Sequence, residues 1–182
     1  MLSTWCGGIA PADQRWNLLG RDICGSLWQY EGTGDPAAPL ADRTKVGSGW
    51  GIYNAITSLS SQRADGIGDL VARDRDGLLW HYPATGNAKG PFSGRIKVGG
   101  GWGIYNSLVG TGNLTIDGHP DLVARDKTGQ LWLYSGTGER ESAVRGVGRW
   151  RNSKRIMAFG GRSPRRHEAL FRTAEQRTLL VW

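Results

Sequence analysis

The chain has 182 residues and a formal net charge of +7, with 29 Gly and 9 Trp but only 2 Cys, 2 Met and 3 His. That length can bury a real core, and 38% hydrophobic with 21% charged residues argues against a disordered tail. No apolar run approaches the ~18 residues of a membrane helix, and Gly, at roughly twice its usual share, follows no Gly-X-Y period, which excludes collagen.

High Gly and Trp with little Met, Glu or Lys predicts many short strands joined by tight turns, and the segments follow in chain order. DQRWNLLGRD opens at Asp13, an LWQY strand carries Trp28 and Tyr30, and KVGSGWGIYN opens at Lys45. DGIGDLVARD then opens at Asp65, Trp80 and Tyr82 mark the next strand, and KVGGGWGIYN opens at Lys97. DGHPDLVARD opens at Asp117, and Trp132 and Tyr134 mark the third strand of that kind. These landmarks recur at a spacing of 52 residues, as do Gly34, Gly86 and Gly138, each closing a Thr-Gly turn. After Tyr134 the last copy is shorter by about four residues, with Trp150 in the place of Trp102. HEALFRT from His167 then lies over HPDLVAR from His119, and TLLVW, ending at Trp182, lies over QLWLY.

A repeat of about 50 residues with four strands has the arithmetic of a propeller blade. The four are the W-G-I-Y-N segment, D-L-V-A-R-D, L-W-x-Y and R-x-K-V-G; apolar residues on both faces of the second and third suit strands packed between neighbouring sheets. Asp76-Gly77, Thr128-Gly129 and Asp117-Gly118 read as turns. No segment shows a helical period. The fold expectation is an all-β propeller domain over 1–182, with repeats near 1–48, 49–100, 101–148 and 149–182, the last degenerate and basic. Three, four, four and three strands give 14, or three and a half blades, with two open apolar faces. Either the chain is part of a larger propeller, or two copies close seven blades around a twofold axis; doubling 14 to 28 favours the homo-oligomer.

The string D-G-x-x-D-L-V-A-R-D-x-x-G-x-L-W-x-Y-x-G-T-G, followed by K-V-G-x-G-W, resembles the FG-GAP/VCBS-type repeats of actinobacterial secreted proteins. Those are similar to the blades of the integrin α-subunit propeller, and the G-x-G-W segment also resembles tachylectin-2-type propeller lectins. The first likeness spans about residues 13–138. It implies a propeller, an extracellular location and a binding or scaffolding role rather than catalysis. It also implies calcium through D-x-D/N-x-D-G-x-x-D loops, in which oxygen side chains surround a hard cation. The matching positions are Asn113, Thr115, Asp117 and Asp121, then Ser61, Arg63, Asp65 and Asp69, and finally Asp13 and Asn17. The competing role for these residues is structural, with Asp117 and Asp65 in turns and Asp121 and Asp69 accepting backbone N–H bonds.

Trp50, Tyr53 and Asn54, repeated as Trp102, Tyr105 and Asn106, suit a carbohydrate ligand, because sugar C–H faces stack on aromatic rings while Asn orients hydroxyls. Repetition would add multivalency. The competing role is blade packing, and it extends to Trp28, Trp80 and Trp132. The function expected is therefore a non-catalytic binding module, lectin-like, with a protein-interaction scaffold as the alternative. Catalytic signatures are absent: there is no Gly-x-Ser-x-Gly, His-Glu-x-x-His or phosphate loop. His81, opposite Gln29 and Leu133 in the repeat, reads as a variable, exposed position.

The charge is lopsided. Residues 1–138 balance 12 basic against 12 acidic side chains, whereas 139–182 carry 11 against 4, scattered singly and without a nucleic-acid-binding signature. A solvated, divergent repeat accounts for them. Cys6 and Cys24 face polar counterparts, Ser58 and Asp76, so a disulfide and two separate thiols both stay open. MLSTWCGG has no basic region or long apolar stretch, so it does not read as a signal peptide, and export would require a leader outside this chain.

Overall fold

A computed structural model describes residues 3–5, 17–60, 68–87, 89–139 and 143–150. Asp13, Cys6, the second-copy loop residues Ser61, Arg63 and Asp65, and the last repeat beyond Trp150 lie outside them. Among these residues, twelve strands form three four-stranded antiparallel sheets, each an up-and-down meander. The first contains β1 (Ser3–Trp5), β2 (Leu18–Arg21), β3 (Leu27–Tyr30) and β4 (Thr44–Gly47). The second contains β5 (Tyr53–Leu59), β6 (Asp69–Asp74), β7 (Leu79–Tyr82) and β8 (Ile96–Gly99). The third contains β9 (Tyr105–Gly112), β10 (Asp121–Asp126), β11 (Leu131–Gly136) and β12 (Val144–Trp150). Two single-turn 3-10 helices, Trp50–Ile52 and Trp102–Ile104, are the only helical elements among the described residues. The all-β expectation and the four strands per repeat hold; the sheets described do not close on themselves.

Two details differ from the sequence reading. The first copy contributes four strands rather than three, because Ser3, Thr4 and Trp5 pair with Arg21, Gly20 and Leu19. Trp150 does not take the place of Trp102: it pairs with Leu131, as Gly99 pairs with Leu79 and Gly47 with Leu27, and so closes the third sheet. The third copy fits its fourth strand within a shortened connection, which is where the shift arises.

Both faces of the middle sheet are covered. Leu70 and Ala72 on one face of β6 join Leu19 and Leu27 of the first sheet, whereas Val71 between them joins Leu108, Leu122 and Trp102 of the third. Strand alternation therefore feeds two separate cores with one strand, and that is why DLVARD is apolar at successive positions. The neighbouring first strands, β5 and β9, run against one another at close range. A side chain at Gly110 would stand 1.8 Å from the Ser58 carbonyl oxygen, so only Gly fits that crossing. Gly110→Ala is expected to destabilise the fold by roughly 3 kcal/mol, an overpacking cost with backbone on the far side; chemical denaturation followed by circular dichroism measures it.

Candidate functional site

The repeated Trp and Tyr side chains are the chemistry-bearing feature of the chain, and the structure places them inside. Trp50 and Trp102 are 7% and 6% exposed, and Tyr53 and Tyr105 are 3% and 6% exposed. Trp50 packs on Tyr82 with ring centroids 4.6 Å apart, and Trp102 on Tyr134 at 4.4 Å. Tyr53 meets Tyr82 edge to face at 6.0 Å, as Tyr105 meets Tyr134. The phenol pairs Tyr53–Tyr82 and Tyr105–Tyr134 hydrogen-bond through their hydroxyls. Burial, followed by the bond from Tyr53, pushes the Tyr82 phenol well above its usual range; burial and Tyr134 do the same to Tyr105. Buried in this way, these four rings present no open face on which a pyranose could stack.

Asn54 and Asn106 are exposed, but their side chains serve the fold. Asn54 Oδ1 accepts from Arg73 Nε at 2.7 Å, and Asn106 Oδ1 accepts from Arg125 Nε at 2.9 Å. Arg73 Nη1 also donates to the carbonyls of Trp102, at 3.0 Å, and of Tyr105 in the next sheet. Arg21 does the same one repeat earlier, to Trp50 at 2.9 Å and to Tyr53. The turn is held from below as well, because Trp50 N–H donates to Gly25 O at 2.8 Å and Trp102 N–H to Gly77 O at 2.9 Å. At Gly77, with φ +77°, a Cβ would stand 2.8 Å from Gly103 N, so the two backbones meet without side chains between them. Each sheet is thereby bolted to the next by one Arg, one Gly carbonyl and one Gly-Trp-Gly-Ile-Tyr turn. Burial lowers the pKa of the Arg73 guanidinium, and its hydrogen bonds to three oxygens offset that cost.

Trp28, Trp80 and Trp132 lie half-buried rather than in the core. Each indole Nε1–H donates to the Asp six residues earlier: Trp28 to Asp22 at 2.8 Å, Trp80 to Asp74 at 2.7 Å and Trp132 to Asp126 at 2.9 Å. The other oxygen of each Asp accepts the backbone N–H four residues on, from Ser26, Leu78 and Gln130. Arg43 lies 4.2 Å over the Trp28 ring and Arg95 4.1 Å over Trp80, covering the outer faces. The Thr128 hydroxyl and the Trp132 indole hold the Asp126 carboxyl down at about 2. Asp22 is lowered mainly by Trp28. At Asp74 burial pushes upward, but Trp80 and the Leu78 and Asp76 N–H groups outweigh it.

The calcium positions of the third copy do come together, in the connection from β9 to β10, but as a hydrogen-bonded knot. Asp121 Oδ2 accepts Leu114 N–H and Thr115 N–H, both at 2.7 Å, while its Oδ1 accepts Thr115 Oγ1 and Gly136 N–H. Asp117 accepts from Ser135 Oγ at 2.7 Å and His119 N–H at 2.9 Å, and Asn113 Oδ1 accepts Asp117 N–H. The donors surround the oxygens that a cation needs, and no cluster of three His, Cys, Asp or Glu suited to a metal exists among the described residues. The residues present do not fit calcium. Instead Asn17, Asp69 and Asp121 share one structural role, accepting the N–H of Gly32, Ala84 and Gly136 across each sheet. Asp69 also binds His81 Nε2 at 3.0 Å, and His81 is 1% exposed, which reverses the surface position expected for it.

Cys24 is a free, exposed thiol in the β2–β3 turn. No helix among the described residues is long and apolar enough to cross a membrane. No known protein family and no curated protein matches this chain.

Two outcomes follow from these contacts. Because Asp22, Asp74 and Asp126 titrate lower in the folded chain than unfolded, their stabilisation is complete above the unfolded value of about 4. It disappears as the pH falls through the folded values, near 2 for Asp126. Thermal melts between pH 5 and pH 2 are expected to show that loss, and Asp126→Asn to flatten it. Millimolar calcium is expected to leave the wild-type Tm unchanged; a rise in Tm on adding calcium, abolished in Asp117→Ala, would contradict the assignment.

Proposed function

We propose that the three sheets are blades of a β-propeller and that the chain is a non-catalytic module for protein interaction and scaffolding. The observation that carries this reading is the use to which the repeated side chains are put. Trp50, Tyr53, Asn54, Trp102, Tyr105, Asn106 and Arg73 are all engaged in packing and joining sheets. The exposed tips, by contrast, change from copy to copy: Ile23-Cys24, Arg75-Asp76 and Lys127-Thr128 occupy equivalent β-turns. Constant joints with variable tips suit a scaffold that presents different surfaces on one frame. Neighbouring first strands in contact, with each sheet stacked on the next, support the blade arrangement. The extracellular setting implied by the FG-GAP/VCBS resemblance belongs to the same proposal.

Lectin activity at the repeated aromatics predicts the opposite behaviour of one variant. Trp102→Ala is expected to lose about 3–5 kcal/mol of stability, as a buried Trp truncation does, and to show no glycan-specific defect. A glycan array that lights up for wild type and goes dark for a Trp102→Ala protein with an unchanged melt would return the function to sugar binding.

A further inference from the structure

Each sheet ends on a strand that carries a cation at one fixed place. The register sets Lys45 of β4 opposite Trp28, Lys97 of β8 opposite Trp80 and Arg149 of β12 opposite Trp132. The three positions keep the 52-residue step, and the charge is retained where the residue changes from Lys to Arg. Arg43 and Arg95, two residues before the lysines, are engaged with the fold. They lie over the Trp28 and Trp80 rings, and Arg95 also donates to the Tyr53 hydroxyl at 2.8 Å. Lys45 and Lys97 are exposed, and neither ammonium has an ion-pair or hydrogen-bond partner among the described residues. The Arg of each pair therefore serves the sheet, whereas the Lys faces solvent.

We propose that Lys45 and Lys97 form a basic rim along the outermost strands, and that its partner is an acidic segment of another protein, rich in Asp and Glu, that reaches from one sheet to the next. This names a partner class for the protein-interaction module and rests on that reading. A single exposed ion pair contributes little, so the partner has to meet both lysines at once, and a chain with closely spaced carboxylates does so. The surroundings select among anionic partners. Single-stranded nucleic acid stacks its bases on open aromatic faces, and a pyranose needs such a face too. Here Arg43 and Arg95 cover the rings beside the two lysines, and Trp50 and Trp102 are buried. A lipid surface is held by apolar side chains that insert into it. None of the exposed large apolar residues, Ile23, Leu40, Ile52, Ile104, Leu114 and Ile116, lies on β4 or β8. What the rim offers is charge, which the carboxylates of a polypeptide answer directly.

The test titrates the full chain, by fluorescence anisotropy at low salt, with a labelled poly-Glu peptide of about 20 residues, which when extended reaches across neighbouring sheets. Saturable binding is expected for this peptide and none for poly-Gln of the same length, and added salt should weaken it as exposed charges are screened. The double variant Lys45→Gln/Lys97→Gln should lose about tenfold or more in affinity with an unchanged melt. Lys127→Gln, the same loss of charge at an exposed turn, should bind as wild type does. An equal loss in Lys127→Gln would overturn the proposal, because net charge alone would then explain the binding. So would stronger binding of duplex DNA, dextran sulfate or phosphatidylserine vesicles that the double variant weakens, since the rim would then belong to that partner. Self-association of the double variant with unchanged peptide affinity would reduce the lysines to guards of a sheet edge. A blank poly-Glu titration would sink the acidic partner and leave the scaffolding reading standing, which Trp102→Ala tests separately.

Discussion

The crossing from one sheet to the next is the constraint on which the rest depends. To pass from the last strand of one sheet to the first strand of the following one, the chain must make a tight turn between two apolar faces. At the buried Trp and Tyr of that turn the backbone polar groups leave water, and each left unpaired costs on the order of 1–3 kcal/mol. Arg73 answers two carbonyls with one guanidinium, Gly77 answers the Trp102 N–H, and Gly103 lets the backbones touch. The Trp at the head of the turn then fills the space beneath it. Take away the guanidinium and the aromatic stack would sit over unsatisfied carbonyls, so packing and hydrogen bonding at the joint succeed or fail together.

The same economy governs the Asp at the end of DLVARD. In a hairpin exposed to water a carboxylate gains little from any single neighbour. Asp74, however, caps the turn through Leu78 N–H and anchors Trp80 through its indole. One side chain thus sets both the turn geometry and the tilt of the outer Trp, and Arg95 closes over the ring that results. The turn residues Asp-x-x-Gly-x-Leu-Trp are therefore a local unit, while Arg73 just before them is a long-range one, its partners lying 29 and 32 positions along the chain.

That division explains what could be read from the sequence. The 52-residue spacing, the strands and the Gly turns are local or periodic, and they were legible. The roles of individual aromatics were not. Trp50 and Trp80 occur in equally apolar strings, and nothing within a string shows that one is buried and the other half-exposed. With both strand faces covered, alternation carries no inside–outside signal. His81 looked like a surface position because its counterparts differ, yet it is buried against Asp69, whose own counterpart in the first copy is Asn17. An ionisable pair in one sheet can replace other groups in its neighbours when the bond to the facing backbone N–H is retained. β1 was missed because three residues, Ser3 to Trp5, carry no readable period. The register at Trp150 was misread because a shortened connection displaced the one landmark available.

A stack built from identical joints has a consequence for how stability is distributed. The middle sheet is bolted on both faces, through Arg21 to its own Trp50 turn and through Arg73 to the Trp102 turn. The first and third sheets have one such joint each among the described residues. In arrays of this kind stability is close to a sum of sheet terms and nearest-neighbour joint terms. Among the described residues, the inner strand β6, whose Leu70, Val71 and Ala72 are all buried and divided between two cores, is joined on both sides and is expected to open late. Its apolar character on both faces, unusual for an antiparallel strand, is the sequence's record of a sheet that has neighbours on both sides.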